Sequence, residues 1–452
     1  MQAERKFSSL LRKTLSLLLC TVFALSLFCV GSHAAVPDLP DLSGAESVYL
    51  WNAEYDKVIV QKGGSELIYP ASMTKIMTGL VAIELIGDKL DEKVTLSADM
   101  LAGSHGTSMK LKADEVLSYR DLLYAAICGG FNDAANALAA ASAGSVSAFV
   151  AKMNEKAHSL GAVSTHYTNP TGWHDDAMVT TLSDTAIIAK AAMKNEIYVK
   201  VSSAQSYAVE ATNKSSKFTV HNRNGLIASY YAEGYYNKRA EGLAAGMTDE
   251  GGYCVATFAQ YDDLTYLCIV MGATEQNEVI KSYSIANELI THAIYYFDEV
   301  EAIKAGDFVA NVPLHNAAKG ANDEDFYMLP CTVPSDATVF ACFDYKEGYE
   351  LELRPYFYAD NTHAPVREGE VIGGVDIFVD GSLCGTSPLC ASHTVEENAF
   401  LVMMNNAKNL LVSRGFIAFT ITFIILFAVY FYFEELRSLQ KRKKKFRFDR
   451  PY

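Results

Sequence analysis

The chain has 452 residues, half of them hydrophobic, so it can bury a large core and has room for two domains. Its net charge is −15, and both ends are positive, so the body between them is more acidic than the whole chain. An acidic body repels polyanions, which argues against nucleic acid as a partner. The sequence shows neither internal repeats nor low-complexity tracts.

Residues 1–34 have the pattern of a secretory signal peptide. Four basic residues precede position 14, an apolar run covers residues 15–30, and Ser32-His33-Ala34 is a small-x-small cleavage site. We predict cleavage after Ala34. An uncleaved N-terminal anchor is the alternative.

The first predicted elements of the exported body are a hairpin and a buried helix. Residues 47–52 and 57–60 read as two strands around a polar turn. Pro70 then suits a helix start, and the residues that follow are apolar on nearly every face. In such a helix Ser72 and Lys75 stand at i and i+3, so the hydroxyl and the amine share one face, roughly 5–6 Å apart at Cβ.

This serine and lysine suit acyl transfer. A serine hydroxyl is a poor nucleophile until a base takes its proton, and a lysine can be that base where burial lowers its pKa. A helix start beside the serine also favours developing negative charge. The motif is short, however, and a second copy at Ser438 and Lys441 lies where catalysis is not expected. The pair alone is therefore weak evidence.

The middle of the chain is predicted to be helical and to hold no metal. Residues 119–143 read as helix on either side of a break at Gly129-Gly130. His166 and His174 do not match a known metal-ligand spacing, so we interpret them as structural. We predict no metal and no cofactor.

From about residue 300 the chain changes to short β-rich runs, and it ends in a membrane signal. Asp380-Gly381 is a strong signal for a two-residue hairpin. Residues 396–414 are predicted to be a linker, and the uncharged apolar run 415–433 is long enough to cross a bilayer. The basic tail, 434–452, predicts a cytoplasmic C-terminus, with the body on the extracytoplasmic side of the cell membrane.

Five stretches carry a resemblance to a known family. They are S-V-Y-L-W-N-A-E, Y-P-A-S-M-T-K-I-M-T, F-N-D-A-A-N-A-L-A, H-Y-T-N-P-T-G-W and G-L-A-A-G-M-T-D-E-G-G-Y-C-V-A-T. In that order they resemble the serine D-alanyl-D-alanine carboxypeptidases, the low-molecular-weight penicillin-binding proteins. The resemblance implies an α/β (α+β) DD-peptidase domain, similar to a β-lactamase, over residues 36–299. It implies a small all-β sandwich over residues 300–395.

The resemblance also implies roles for individual residues. Ser72 would be the nucleophile, Lys75 the general base, and Asn132 the asparagine of the S-x-N motif. The backbone N–H groups of Ser72 and Met247 would form the oxyanion hole, which does not depend on side-chain identity.

Two of the family's motifs are degenerate in this chain. Gly130 stands where S-x-N has its serine, which in the family helps to pass a proton to the leaving amine. Ala244, Ala245 and Gly246 stand where the family has K-T-G, whose lysine and threonine grip the substrate's carboxylate. Losing two hydrogen bonds to a charged group would lower transition-state stabilisation by roughly 3–6 kcal/mol, or about 10²–10⁴ in rate.

Some nearby residues are candidates for replacing what is lost. Cys128 lies two residues before Gly130, and Lys238 with Arg239 lie just before the third motif, although ordinary structural roles are favoured for all three. Seven cysteines remain after the signal peptide, and free buried thiols are as acceptable as disulfides. The candidate disulfides are Cys384 with Cys390 and Cys331 with Cys342.

The expected function is that of an exported, membrane-anchored D-Ala-D-Ala carboxypeptidase-like protein that acts on peptidoglycan stem peptides with impaired turnover. The alternative is a non-catalytic relative that binds or scaffolds wall peptide or wall enzymes. A β-lactamase is a weaker third hypothesis. The expected partners are a stem peptide or a β-lactam in the cleft and the membrane at the C-terminal helix.

Overall fold

The structure is a computed structural model that describes residues 39–318, 327–343, 348–358 and 362–448. The predicted signal peptide, 1–34, lies outside the described residues. The chain divides into two compact units, and the boundary falls between Asp298 and Glu299.

The first unit is built on a five-stranded antiparallel sheet, with two-stranded hairpins around it. Its strands are β1 (Ser47–Asn52), β2 (Lys57–Lys62), β3 (Lys93–Thr95), β4 (Val116–Ser118), β5 (Ser206–Val209), β6 (Phe218–His221), β7 (Ala240–Thr248), β8 (Gly252–Tyr261), β9 (Leu264–Ala273), β10 (Glu275–Gln276) and β11 (Val279–Ile280). The large sheet has the order β2-β1-β9-β8-β7. The predicted opening hairpin is confirmed as β1 and β2, and β7 forms one edge of the sheet.

The helices of the first unit surround one central helix. They are α1 (Thr74–Ile86), α2 (Ala98–Leu101), α3 (Tyr119–Ile127), α4 (Asn132–Ala143), α5 (Val146–Leu160), α6 (Leu182–Met193), α7 (Glu196–Ser202) and α8 (Lys281–Tyr296). Helix α1 packs against five others, α3 to α7. Eleven of its 13 residues are buried, which confirms the prediction of a helix that is apolar on nearly every face.

The centre of the sheet is buried because helices cover it. Helix α8 packs on β8 and β9, and helix α6 packs on β1, β7 and β9. Strands β8 and β9 each contain six consecutive buried residues, a pattern expected for strands covered on both faces. As an edge strand, β7 pairs with β8 on one side, and its other side can line a cleft.

The second unit is a small β-sandwich. Its strands are β12 (Phe297–Ile303), β13 (Phe308–Leu314), β14 (Tyr327–Thr332), β15 (Ala337–Cys342), β16 (Leu351–Phe357), β17 (Val371–Val379) and β18 (Ser382–Ala391). Five of them form an antiparallel sheet of order β13-β14-β18-β17-β16, and β12 pairs with β15. The predicted hairpin is confirmed, because Asp380 and Gly381 join β17 to β18 with φ values of 47° and 74°.

Two helices follow the sandwich. Helix α9 (Ala399–Val412) is capped by Asn398, so most of the predicted linker 396–414 is helical. Helix α10 (Arg414–Phe448) contains the predicted span 415–433. Its portion Arg414–Leu439 is the one unbroken helix of the described residues that is long and apolar enough to cross a membrane.

The seven cysteines that follow residue 34 form no disulfide with one another. Neither candidate pair, Cys384 with Cys390 or Cys331 with Cys342, forms a disulfide. The alternative of free thiols is therefore the one that the structure supports. Five of the seven thiols are buried, which is the ordinary environment of a free cysteine.

Candidate active site

Ser72 lies in a tight turn that leads directly into α1. The turn is a single 3₁₀ segment, Ala71–Met73, after Pro70, and α1 begins only at Thr74. The sequence predicted one continuous helix, and the difference places Ser72 at the entrance and Lys75 in the first full turn. Ala71 has a φ of 45°, which is strained for a residue other than glycine and is typical of functional sites.

A glycine of a second segment makes this strained turn possible. Gly172 has a φ of 78°, and a Cβ there would overlap the carbonyl of Ala71. The H-Y-T-N-P-T-G-W stretch thus ends against the backbone that presents Ser72. Its Thr171 carbonyl reaches the lysine of the same site.

Lys75 is buried, with 3% of its surface exposed, and both of its hydrogen bonds go to neutral groups. Its Nζ donates to Asn132 Oδ1 at 2.7 Å and to the Thr171 carbonyl at 2.6 Å. Burial, helped by the positive charge of Arg223, lowers the pKa of Lys75 to about 7. A substantial fraction of this lysine is therefore neutral at physiological pH.

The two hydrogen bonds of Lys75 determine where its lone pair can act. A neutral amine has two N–H donors and one lone pair, and here both donors are taken by Asn132 and Thr171. Within the described part of the chain the hydroxyl of Ser72 has no hydrogen-bond partner of its own. A neutral Lys75 therefore keeps its lone pair free of these two acceptors, and Ser72 lies three residues earlier in the chain.

Asn132 is fixed in place by the loop that precedes α3. Its amide Nδ2 donates to the His105 carbonyl at 2.6 Å, and its backbone N–H donates to the Thr107 carbonyl. The next residue, Asp133, accepts hydrogen bonds from Ser108, Met109 and Leu111. The 105–111 loop, which the sequence did not identify as part of the site, therefore forms one wall of the cleft.

The third motif lies on β7, directly over the serine. A Cβ at Gly246 would overlap Ser72 Oγ, so only glycine allows β7 this close to the nucleophile. Met247 follows in the same strand, and its side chain is 44% exposed. Ala245 lines the cleft, whereas Ala244 joins the hydrophobic core. Strand β7 therefore runs close beside Ser72, although both polar side chains of the motif are missing.

The turn at Gly130 lacks the serine of the S-x-N motif, and this loss is separate from the one on β7. Gly130 has a φ of 66°, and a Cβ there would lie 3.0 Å from Cγ of Arg223. A serine at this position would be strained and would press on the arginine side chain. The residues around it, unlike Gly130 itself, match the family's motif.

These residues border a cleft of about 420 Å³. Six of the predicted positions line it, namely Ser72, Gly130, Asn132, Ala245, Gly246 and Met247. Among the described residues Arg223 is the only lysine or arginine on the wall, and no aspartate or glutamate lines it. The cleft is therefore suited to an anionic ligand, although the protein as a whole is acidic.

Arg223 is held by contacts on two sides. Its Nη2 donates to Thr107 Oγ1 at 2.9 Å, and its guanidinium lies 4.3 Å from the ring centre of Tyr231. Its backbone N–H donates to the carbonyl of Cys128, which ties it to the break before α4. The sequence analysis did not identify Arg223 as part of the site, and a cation between two asparagines, Asn222 and Asn224, was the signal that could have identified it.

The suggested replacement residues are not on the cleft wall. Arg239 stacks on Tyr261, and neither it nor Lys238 borders the cleft. Cys128 is buried, donates to the Ala204 carbonyl, and has its pKa raised to about 12 by burial. The ordinary structural interpretation of all three is the one that the geometry favours.

The two histidines considered for a metal have other contacts. The backbone of His166 pairs with Val179. His174 lies 3.1 Å from Asp176 and 3.8 Å from Glu250, and its ring meets Tyr69 edge-on. No group of metal-binding side chains was found in the described residues.

Comparison with known proteins finds a matching family and curated relatives. Residues 34–275, more than half of the chain, match the D-alanyl-D-alanine carboxypeptidase family. The curated relatives include DacF of Bacillus subtilis, 29% identical over 80% of this chain and 88% of the relative. They also include DacA of Escherichia coli, 26% identical over 87% of this chain and 95% of the relative. Both relatives are described as D-alanyl-D-alanine carboxypeptidases.

Solved structures show the same fold. DacD of Francisella tularensis has a TM-score of 0.63 at 22% identity and covers 80% of this chain and 96% of its own. Penicillin-binding protein 5 of Haemophilus influenzae has a TM-score of 0.55 at 23% identity, with coverages of 80% and 100%. The chain belongs to the D-alanyl-D-alanine carboxypeptidase family, the low-molecular-weight penicillin-binding proteins. Its predicted fold class is thereby confirmed.

Proposed function

We propose that this protein is an exported, membrane-anchored acyl-serine carboxypeptidase that acts on D-Ala-D-Ala stem peptides of peptidoglycan with reduced turnover. The observation that carries the proposal is the buried Lys75, three residues after Ser72, whose lowered pKa and two neutral hydrogen-bond partners leave an amine that can accept a proton. The family and its curated relatives supply the substrate class.

The reaction would begin with attack on the penultimate D-alanine carbonyl. Lys75 accepts the proton of Ser72, and the hydroxyl oxygen adds to the carbonyl carbon. The backbone N–H groups of Ser72 and Met247 receive the developing oxyanion. As the carbon–nitrogen bond breaks, the nitrogen takes a proton from Lys75 or solvent and terminal D-alanine leaves. Water then attacks the acyl-serine, gives a proton to Lys75, and Ser72 recovers its proton as the acid is released.

Arg223 is the group that would bind the substrate's terminal carboxylate. Among the described residues it is the only cation on the cleft wall, and it is oriented by Thr107 and Tyr231. A charge-assisted hydrogen bond from a guanidinium can replace part of the grip lost at Ala244 and Ala245. This supports retained binding of anionic substrates despite the degenerate third motif.

The same site explains why turnover is expected to be reduced. Neither Ala245 nor Gly130 offers a side-chain hydrogen bond to a substrate, and Ala244 has joined the core. Two lost hydrogen bonds to a charged group lower transition-state stabilisation by roughly 3–6 kcal/mol, or about 10²–10⁴ in rate. The missing serine at position 130 adds a defect in proton delivery.

The C-terminal helix supports the proposed location. The apolar portion of α10 can span a bilayer, and the basic residues after it favour a cytoplasmic end. The exposed apolar side chains of α9 can lie in the membrane surface next to the span. The catalytic unit would then face the cell wall.

A non-catalytic role is the second candidate, and the loss of three motif side chains favours it. In that case the cleft, with Arg223 at its wall, would bind wall peptide without cleaving it. Restoring Gly130→Ser, Ala244→Lys and Ala245→Thr together should raise turnover under either view. Because a side chain at position 130 would be strained, the folding of the triple mutant must be checked before its turnover is compared with that of the wild type.

The deciding experiment is intact-mass spectrometry of the full chain in detergent, incubated with a penicillin, beside its Ser72→Ala variant. A stoichiometric adduct that is absent from the variant supports an activated Ser72. Release of D-alanine from a pentapeptide, lost in the same variant, would establish turnover. No adduct at long times and high penicillin concentration would contradict the enzyme and favour the binding role.

A further inference from the structure

A second cavity lies next to the cleft and shares part of its wall. It has a volume of about 540 Å³ and is bounded by α2, by the junction of α4 with α5, and by the 169–173 segment. Thr171 and Trp173 line both spaces. A ligand that extends from the cleft past Trp173 would therefore enter this cavity, for which the proposed reaction at Ser72 has no use.

Trp173 is an exposed aromatic ring on the wall between the two spaces, and it is held in a fixed position. The residue is 45% exposed. Its N–H donates to Thr171 Oγ1 at 3.0 Å, and its carbonyl accepts from Asn169 Nδ2 at 2.9 Å. The ring lies beside His105, with 5.7 Å between the ring centres, and a Cβ at Gly106 would come within 2.8 Å of it. The rest of the ring is available as an apolar surface for a ligand.

Two polar side chains of the cavity have hydrogen-bond acceptors without a partner. Asn136 is 4% exposed, and its Nδ2 donates to the Ala102 carbonyl at 3.3 Å, but its Oδ1 receives no hydrogen bond from the described residues. Buried side-chain acceptors usually have a partner, so this one calls for a donor. The exposed carboxylate of Asp99 also has no hydrogen-bond or ion-pair partner in the described part of the chain. Both acceptors are therefore available to a ligand.

The same cavity offers donors and carries little charge. Ser97 Oγ and Ser145 Oγ accept from the backbone N–H groups of Met100 and Ala148, so each hydroxyl still has a proton to donate. The residues that line the cavity, all of them described, include no lysine, arginine or histidine, and Asp99 is the one charged group among them. The cavity is therefore suited to an uncharged ligand with hydroxyl groups, which both donate and accept, and it is not suited to an anion.

We propose that this cavity binds a pyranose sugar of the wall glycan, with a face of the sugar ring on Trp173 and its hydroxyl groups bonded to Asn136 and Asp99. A pyranose presents C–H groups on its faces, which pack on an aromatic ring, and hydroxyl groups around its edge. The shared wall supports this occupant, because a sugar in the cavity can carry a stem peptide that passes Trp173 and reaches Ser72. The source of the sugar rests on the proposed function, whereas sugar binding itself does not.

The test titrates the full chain in detergent with the β-1,4-linked trimer of N-acetylglucosamine and follows tryptophan fluorescence. The chain has only two tryptophans, and Trp51 is 9% exposed, so a change reports on Trp173. We expect a saturable change with a Kd below about 10 mM, and no such change for butylamine over the same range. Saturation-transfer NMR on the protons of the trimer measures the same binding without depending on the tryptophan signal.

Two results of these titrations would overturn the proposal. One is the absence of saturable binding of the trimer by both methods. The other is an equal response to butylamine, which would assign the two acceptors to an ammonium group and leave the serine donors without a ligand.

Two variants locate the binding. In Ala140→Leu the larger side chain on α4 fills the cavity, and the Kd should rise more than about tenfold. Asp99→Ala removes a charge-assisted hydrogen bond at an exposed position, and the Kd should rise about threefold or more. Ala151→Leu, on the exposed side of α5, and Asp263→Ala, in the turn between β8 and β9, are the matched controls and should bind normally.

The exposed Asp99 variant keeps the proposal testable if Ala140→Leu does not fold, which thermal melting checks. A Kd that is unchanged in Asp99→Ala, or in a folded Ala140→Leu, would place the sugar elsewhere and overturn the proposal. These measurements need no turnover. Trimer binding without an adduct on Ser72 or release of D-alanine would contradict the proposed function alone, and D-alanine release without trimer binding would contradict the sugar site alone.

Discussion

The floor and the wall of the cleft differ in what they have kept. The floor, made by the turn at Ser72, Lys75 on α1 and Asn132 at the start of α4, retains each side chain that the family pattern requires. The wall, made by β7 and the Gly130 turn, retains the backbone course and has lost the polar side chains. The two regions line the same cleft, so the difference reflects what the side chains of each region contact.

The difference follows from packing. Lys75 is 3% exposed and is tied to Asn132 and Thr171, so its removal would leave two buried acceptors unpaired. Ala245 faces the cleft, so a polar side chain there would be available to a substrate, whereas Ala244 faces the core. The floor is therefore held by structure as well as chemistry, whereas a polar side chain at position 245 would serve the substrate alone.

The largest effect should come from breaking the floor at Lys75. Lys75→Met has a similar volume and no lone pair for the Ser72 proton, so penicillin acylation should fall by about 10²–10⁴. Intact-mass spectrometry over time measures the rate. Lys190→Met is the matched control, because that amine lies over the Trp51 ring, away from the cleft. Acylation that survives in Lys75→Met would mean that another group takes the proton.

A smaller effect is expected where the wall touches the floor. In Gly246→Ala the new Cβ overlaps Ser72 Oγ and must push the serine or β7 aside. A displacement of about 1 Å can cost 10²-fold, so acylation should fall by about that factor. Gly415→Ala is the control, since a Cβ there meets nothing within 4 Å. Unchanged acylation in Gly246→Ala would show that β7 does not constrain Ser72.

Restoring one polar side chain of the wall should raise activity, whereas the two previous variants lower it. Ala245→Thr places a hydroxyl in the cleft, and one hydrogen bond to a charged group is worth roughly 1.5–3 kcal/mol, or about tenfold to 150-fold. We expect this gain in kcat/KM for a donor with a terminal carboxylate and none for its terminal amide. Ala245→Val has the same shape without the hydroxyl, and an equal gain there would assign the effect to packing.

The contrast between floor and wall also explains what the sequence could predict. Ser72, Lys75 and Asn132 lie in short motifs whose spacing within helices fixes which side chains share a face. The central helix and the Asp380-Gly381 hairpin were predictable for the same local reason. Arg223 was missed because its role depends on a non-local contact with the 105–111 loop, 116 residues away at Thr107. The start of α1 at Thr74, after a strained turn, depends equally on Gly172 in a distant segment.

The smallest predicted effect tests whether Arg223, which lines the cleft outside both regions, acts on the floor through its charge. Arg223 lowers the pKa of Lys75, which burial brings to about 7, so its removal should raise that pKa. Only neutral Lys75 can accept the Ser72 proton, so the rate rises with pH through this pKa. In Arg223→Gln the midpoint should therefore move to higher pH, and the rate below neutral pH should fall.

The saturating penicillin acylation rate, measured from about pH 6 to pH 9, separates this shift from weaker binding of the penicillin carboxylate. Arg239→Gln removes an equal charge beside Tyr261, off the cleft wall, and should leave the midpoint in place. A midpoint in Arg223→Gln that stays put or moves down would mean that burial alone sets the state of Lys75, and that the surviving cation acts on the substrate only.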